Sequence, residues 1–179
     1  NGIVLNNLTS AGGTFDFGNG ALSGNSGVSF LGTGTLATVN YAGSMTKSSD
    51  GNLVEISGAA AGSVTLSGNL NCSSACDGID VLNRGAGTIT FSGATKTLNT
   101  STSTAVNLDN NDAAQIHFTG GGLDIDTTSG TGFNAVNGAA QVTVQGTGNI
   151  IDSVSATALN VSSTTIGTLG LTFQRISAG

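Results

Sequence analysis

Few side chains in this 179-residue chain are able to do chemistry: ten carboxylates, four cations, one histidine and two cysteines. The best-placed acids are Glu55 and Asp80, at equivalent outward positions in neighbouring repeats, with Arg84 close behind. Two or three carboxylates converging on one face, usually with a basic residue or Ca²⁺, are what acid–base cleavage of a polysaccharide calls for, and such acids also suit a cation or the hydroxyls of a sugar. The plainer account is two solvated acids that keep a neutral surface soluble. Asp124 and Asp126 alternate with Leu123 and Ile125, which turns both acids outward from one strand onto a solvated face. Asp109, Asn110, Asn111 and Asp112 superficially resemble a Ca²⁺ loop but lack its glycine and closing glutamate. His117 has no His or Cys partner at ligand spacing, which argues against both a metal ligand and a catalytic base. The many serines and threonines share that one candidate base, with no strand-to-helix elbow to expose a nucleophile. Gly-Thr-Gly and Gly-Gly-Gly strings recur at turn positions and mark bends, since a phosphate loop needs a following helix. No enzyme activity and no cofactor is expected.

Composition narrows the class further. Charged residues make up 8% of the chain, Pro and Trp are absent, and 29 residues are Gly, while apolar residues still reach 37%. Disordered tails do not keep apolar residues at regular places, so this is a folded chain of short, neutral polar side chains. Net charge is −6, and the cations Lys47, Arg84, Lys96 and Arg175 are scattered. Neither nucleic acid nor an anionic membrane finds a basic footprint here. No stretch approaches the roughly 20 apolar residues of a membrane-spanning helix.

One pattern recurs seven times: an apolar-x-apolar strand, a polar turn, a second such strand, then Gly-x-apolar. First strands carry Ile3 and Leu5, Val28 and Phe30, Val54 and Ile56, Ile79 and Val81, Val106 and Leu108, Phe133 and Ala135, and Leu159 and Val161. Second strands carry Phe15 and Phe17, Val39 and Tyr41, Val64 and Leu66, Ile89 and Phe91, Ile116 and Phe118, Val142 and Val144, and Leu171 and Phe173. A third column holds Leu22, Met45, Leu70, Leu123 and Ile150, with Leu98 and Ile176 as looser matches. Period-2 alternation in segments this short predicts strands and no helix. Residues 1–179 therefore read as one segment of an all-β right-handed parallel β-helix, a β-solenoid with three strands per coil and about seven coils of 25–27 residues. An Asn column at Asn7, Asn83, Asn110 and Asn137, with Gly32 and Gly58 in its gaps, predicts a left-handed turn after each first strand.

Cys72 and Cys76 enclose Ser-Ser-Ala, which lets the sulfurs meet across a tight loop leaving the third strand of the third coil. With no further Cys or His cluster and no Cys-x-x-Cys spacing, a disulfide is favoured over a metal half-site or redox pair, and it implies an oxidising, extracellular compartment.

The coils resemble the parallel β-helix repeats of very large secreted or surface-anchored bacterial proteins, through TGTGNII, ATALNVSSTTIG, GLTFQRISAG and the opening NGIVLNN. The resemblance covers the whole chain and implies an adhesin-like or filament-like module within a longer array. It carries no catalytic motif. At the two ends, Ile3, Leu5, Phe15, Leu159, Val161, Leu171 and Phe173 are expected to present open rungs. The expected partner is the chain itself, by head-to-tail stacking or tandem repetition, with glycans or cell-surface components as further candidates. The leading expectation is a structural or adhesive shaft. A carbohydrate-binding or polysaccharide-degrading β-helix is the alternative, and ice binding a second one, from outward Thr88, Thr90, Ser63 and Thr65, with Asp16, Gln115 and His117 interrupting the array.

Overall fold

A strand of three or four residues leaves its backbone edges unsatisfied and cannot stand alone. In the computed structural model, which describes residues 1–8, 13–34, 37–58 and 61–179, coil-on-coil stacking meets that need. The 21 strands form three seven-stranded sheets, each taking one strand from every coil in order. All pairings are parallel, for example Ile79 with Val54 on one side and Val106 on the other. No helix occurs among the described residues. The chain is an all-β parallel β-solenoid of seven rungs with three strands per coil. At ~4.8 Å per rung the stack is roughly 33 Å tall.

Coil 4 shows how sequence becomes shape, with strands Ile79–Leu82, Thr88–Phe91 and Lys96–Ser101 whose side chains alternate between the core and the outside. The corner after the first strand is left-handed in every coil, at Asn7, Gly34, Gly58, Asn83, Asn110, Asn137 and Ser163, with φ between 50° and 92°. Asn dominates because its short amide tolerates this conformation and bonds along the stack. Asn110 Nδ2 donates to Asn83 Oδ1 at 2.7 Å. At the next corner, Gly43, Gly68 and Gly93 stack so closely that an added Cβ would collide with a carbonyl oxygen of the coil before. This explains the glycine ahead of the third strand.

The register departs from the sequence reading in four places. Ile3 pairs with Phe30 and Leu5 with Gly32, so the second coil starts two residues later than Val28, and its left-handed corner is Gly34 rather than Gly32. A buried glycine in the core column lets the bulky Phe30 take the neighbouring place. Ile150 points outward, and Ile151 continues the column from Leu98 and Ile125 to Ile176. Lys96, not Leu98, stands level with Leu70 and Leu123. In the last coil, Ile166 pairs with Val142 and Leu171 with Val144 across a bulge, and Phe173 lies beyond the strand, edge-on to Phe133 with ring centroids 5.8 Å apart.

Three of the four cations, which looked scattered in the sequence, lie inside the prism, one at each type of corner. Lys47, Arg84 and Lys96 are 0–1% exposed. Lys47 Nζ donates to the Asn25 and Gly27 carbonyls at 2.8 and 2.6 Å. Arg84 donates to the Gly62 carbonyl at 2.9 Å. Lys96 Nζ donates to the carbonyls of Gly93, Thr119 and Gly121, the last two in the coil above. Sharp corners turn carbonyls inward, and a long side chain carrying several donors satisfies two coils at once. Two coils beyond Lys96, Asn149 Nδ2 does the same for Gln145, Gly146 and Thr172. Between these corners the core is apolar, with Phe91 stacked on Phe118 at 4.7 Å, a geometry worth about 0.5–1.5 kcal/mol beyond its buried area.

Candidate functional site

Glu55 and Asp80 lie directly opposite each other on adjacent rungs of the first sheet, both half-buried. Asn52 Nδ2 donates to Asp80 Oδ2 at 2.9 Å and reaches Glu55 Oε2 at 3.5 Å. Burial raises the Asp80 carboxyl above its ordinary value, with Glu55 and Asp77 adding to the rise and hydrogen bonds from Asn52 and Asn107 opposing it. Above Asp80 the same column continues as Asn107, Asn134 and Asn160, each amide bonded to the one below. Arg84 does not belong to this pair. Its guanidinium is turned into the core toward the Gly58 and Gly62 carbonyls, because those inward carbonyls need a donor that no backbone supplies. Among the described residues the acids thus have no basic partner and lean on amides instead.

Cys72 and Cys76 form a disulfide, with Cα atoms 5.5 Å apart. Its setting differs from the expected surface loop: Cys72 pairs with Lys47 and Leu98 in the third sheet, and both cysteines are fully buried. The sulfurs fill a core column, and only Ser73, Ser74 and Ala75 protrude.

That protrusion forms one wall of a groove of about 620 Å³ at the corner between the third sheet and the first. On the next rung, a β-bulge between Asn99 and Ser101 shifts the register of the fourth coil against the fifth, and both residues line the groove. Ser74 and Ser101 both take left-handed backbone, at φ 62° and 58°, a conformation that costs a non-glycine residue about 1–2 kcal/mol. Asp77 forms part of the floor. It accepts from Ser103 Oγ at 2.5 Å and from the Gly51 amide at 3.1 Å. The same aspartate lines an adjoining depression of about 410 Å³ with Asn52, Asp80 and Asn107. The sequence reading did not single out Asp50, Asp77 or Asn99. Length gave no distinct signal, since the coil opening at Ile79 runs 27 residues to Val106 and the next runs 27 from Val106 to Phe133.

The remaining candidates fall into structural roles. Asp124 and Asp126 do point outward, half-buried. Burial lifts the Asp126 carboxyl, as do Asp124 and Asp152, while Arg175 opposes. Arg175 forms an ion pair with Asp152, the only one among the described residues. Asn111 is buried in the turn, accepting from the Arg84 amide at 2.9 Å and donating to the Val81 carbonyl at 2.8 Å. The Asp109–Asp112 run is therefore committed to its corner, and no group of three or more potential metal ligands occurs among the described residues. His117 Nδ1 lies 2.8 Å from Thr143 Oγ1 on the outer face of the second sheet, and partial burial lowers its pKa. Thr88 and Thr90 stand level with Gln115 and His117, Thr65 lies below Thr90, and Asp16 is hydrogen-bonded to Asn40. Regular threonine rows end after two rungs.

At the outer rungs, Phe15, Val4, Ile166 and Ile176 are 39–51% exposed. Ile3, Leu159, Val161, Leu171 and Phe173 are half-covered, whereas Leu5 is buried at 9% exposure. Among the described residues, no helix is long and apolar enough to cross a membrane. No family model, no curated protein and no solved structure matches this chain.

Proposed function

We propose that the chain is a length of rigid, non-enzymatic shaft in a very large secreted or surface-anchored bacterial protein of adhesin-like or filament-like type. The observation that carries this reading is the unbroken continuity of three parallel sheets through every coil. Each rung is tied to its neighbours by backbone bonds, core ladders and corner donors that span two coils, so bending the stack breaks many contacts together. The buried disulfide supports an oxidising compartment. The resemblance of the coil motifs to bacterial surface repeats supports the bacterial part of this reading.

In a longer array, Leu159 and Val161 would receive Ile3 and Leu5 of a following copy, and the left-handed Ser163 would sit beneath Asn7. Such a contact propagates without closing. Small-angle scattering from two copies joined in tandem tests the reading. The expected particle is one straight rod of about 67 Å with unchanged cross-section. Phe173→Asp in the first copy should loosen the join, because it places a charge among apolar rings. Two bodies at variable angle in the unmutated tandem would refute the shaft.

A further inference from the structure

A regular solenoid has flat sides, and away from the bulged last coil this one departs from regularity twice at the same place. The disulfide loop of coil 3 and the bulge of coil 4 lie on successive rungs, and both line the groove. Among the described residues, seven non-glycine positions have positive φ. Five are the corner column of Asn7, Asn83, Asn110, Asn137 and Ser163, which the turn itself explains. The other two are Ser74 and Ser101, and both line this groove. Bulges and strained backbone gather where a surface is shaped for binding.

We infer that this groove, rather than the Glu55–Asp80 pair, binds a neutral or amino-substituted oligosaccharide lying along the solenoid axis. The lining decides the ligand class. Ala75 is its one apolar residue, so neither flat aromatic molecules nor apolar peptide side chains find a seat. Peptide addition as an extra strand needs an unpaired edge, and strands of the middle coils are paired on both sides. Asp50 and Asp77 in the groove, and Asp80 beside it, repel uronates and phosphates. Lys47, the cation nearest these acids, faces inward onto carbonyls. What fits is a ligand made of hydroxyls. Asp50, Ser74, Asn99 and Thr128 lie exposed on coils 2, 3, 4 and 5, so one polar side chain meets the ligand at each rung over roughly 14 Å. Asp77 is held in place by Ser103 and Gly51, which orients its carboxylate before any ligand arrives. The groove's volume of about 620 Å³ falls in the general size range of small-ligand sites.

The test is an array of neutral, amino-substituted and uronate-bearing oligosaccharides, followed by calorimetric titration of the intact chain with the best neutral or amino trisaccharide. Asp50→Ala should weaken binding at least fivefold, and Thr102→Trp, which fills the groove, should abolish it. Asp16→Ala on another face should change nothing. Circular dichroism of each variant confirms folding, and Asn99→Trp replaces Thr102→Trp if the latter misfolds. The inference is overturned if no neutral or amino sugar binds at millimolar concentration, or if binding survives the filled groove. A preference for uronates, or binding that requires Ca²⁺, overturns it equally. These outcomes leave the scattering test of the shaft untouched, so the two readings fail separately.

Discussion

Replacing Lys96 by methionine keeps the apolar stem and removes the ammonium that holds a corner together. Gly93, Thr119 and Gly121 each lose the donor that Lys96 Nζ provides. A buried carbonyl left without a partner costs about 1–3 kcal/mol, or about 6 kcal/mol for the three. Against this stands the relief of burying a charge. Desolvation pulls the Lys96 ammonium down to about 8 from an ordinary 10.5, equivalent to about 3 kcal/mol at 1.36 kcal/mol per unit. The net loss at pH 7 is about 3 kcal/mol, within the usual range for unpairing a buried polar network. The pH dependence follows from the sign of the shift. Between about 8 and 10.5 the unfolded chain binds more protons at this lysine than the folded one, so native stability rises with pH across that window. Lys96→Met has no such rise, and the gap between the two proteins should widen from about 3 toward about 6 kcal/mol by its upper end. Lys47 is present in both and cancels. Urea unfolding of both proteins at pH 7 and at pH 10, followed by far-ultraviolet circular dichroism, measures the gap. A gap below about 1 kcal/mol at pH 7, or one that narrows as pH rises, would show that the corner carbonyls do not depend on this cation.

Two further predictions concern columns. Asn110 holds φ 57° and donates to Asn83, so Asn110→Ala should cost about 1–2 kcal/mol in urea unfolding; Asn110→Gly, which loses the same bond without strain, should cost visibly less, and equal costs would remove the conformational argument. Asp80→Asn extends the amide ladder of Asn107, Asn134 and Asn160 by one rung and removes a carboxylate facing Glu55, so at pH 7 it should stabilise by about 0.5 kcal/mol. Because burial raises Asp80's own pKa, that advantage should fade as pH falls through it; an advantage independent of pH would mean that charge is not its source.

The coil pattern was legible because strand, corner and core repeat with one period, and stacking makes each position see its own kind. Asn83, Asn110 and Asn137 announced the left-handed corner through residue type alone. Coil 2 misled because Val28-Ser-Phe30 imitates the strand pattern, whereas the true strand carries Gly32 in its core column, and a glycine there looks like a gap. The inward turn of Lys47, Arg84 and Lys96 was hidden, since a charged residue reads as surface until the carbonyls that receive it are placed in space. The groove was hidden for a similar reason: its walls belong to different coils, and neither Asp77 nor Asn99 stands out from the polar residues around it.

Sequestering three of the four cations leaves the outside of the prism with a charge balance unlike that of the whole chain. Ten carboxylates face solvent or lie partly covered, none fully buried, and Arg175 is the only cationic side chain exposed among the described residues. At the outer surface ten acids thus stand against one base, while the three buried cations offset them from within to give the formal −6. Side-by-side approach of two such prisms is opposed along their whole length, with a range of about 8 Å at physiological salt. Inward-facing lysine and arginine side chains thus leave the flanks of the prism rich in unpaired carboxylates, which opposes the packing of such prisms into lateral bundles.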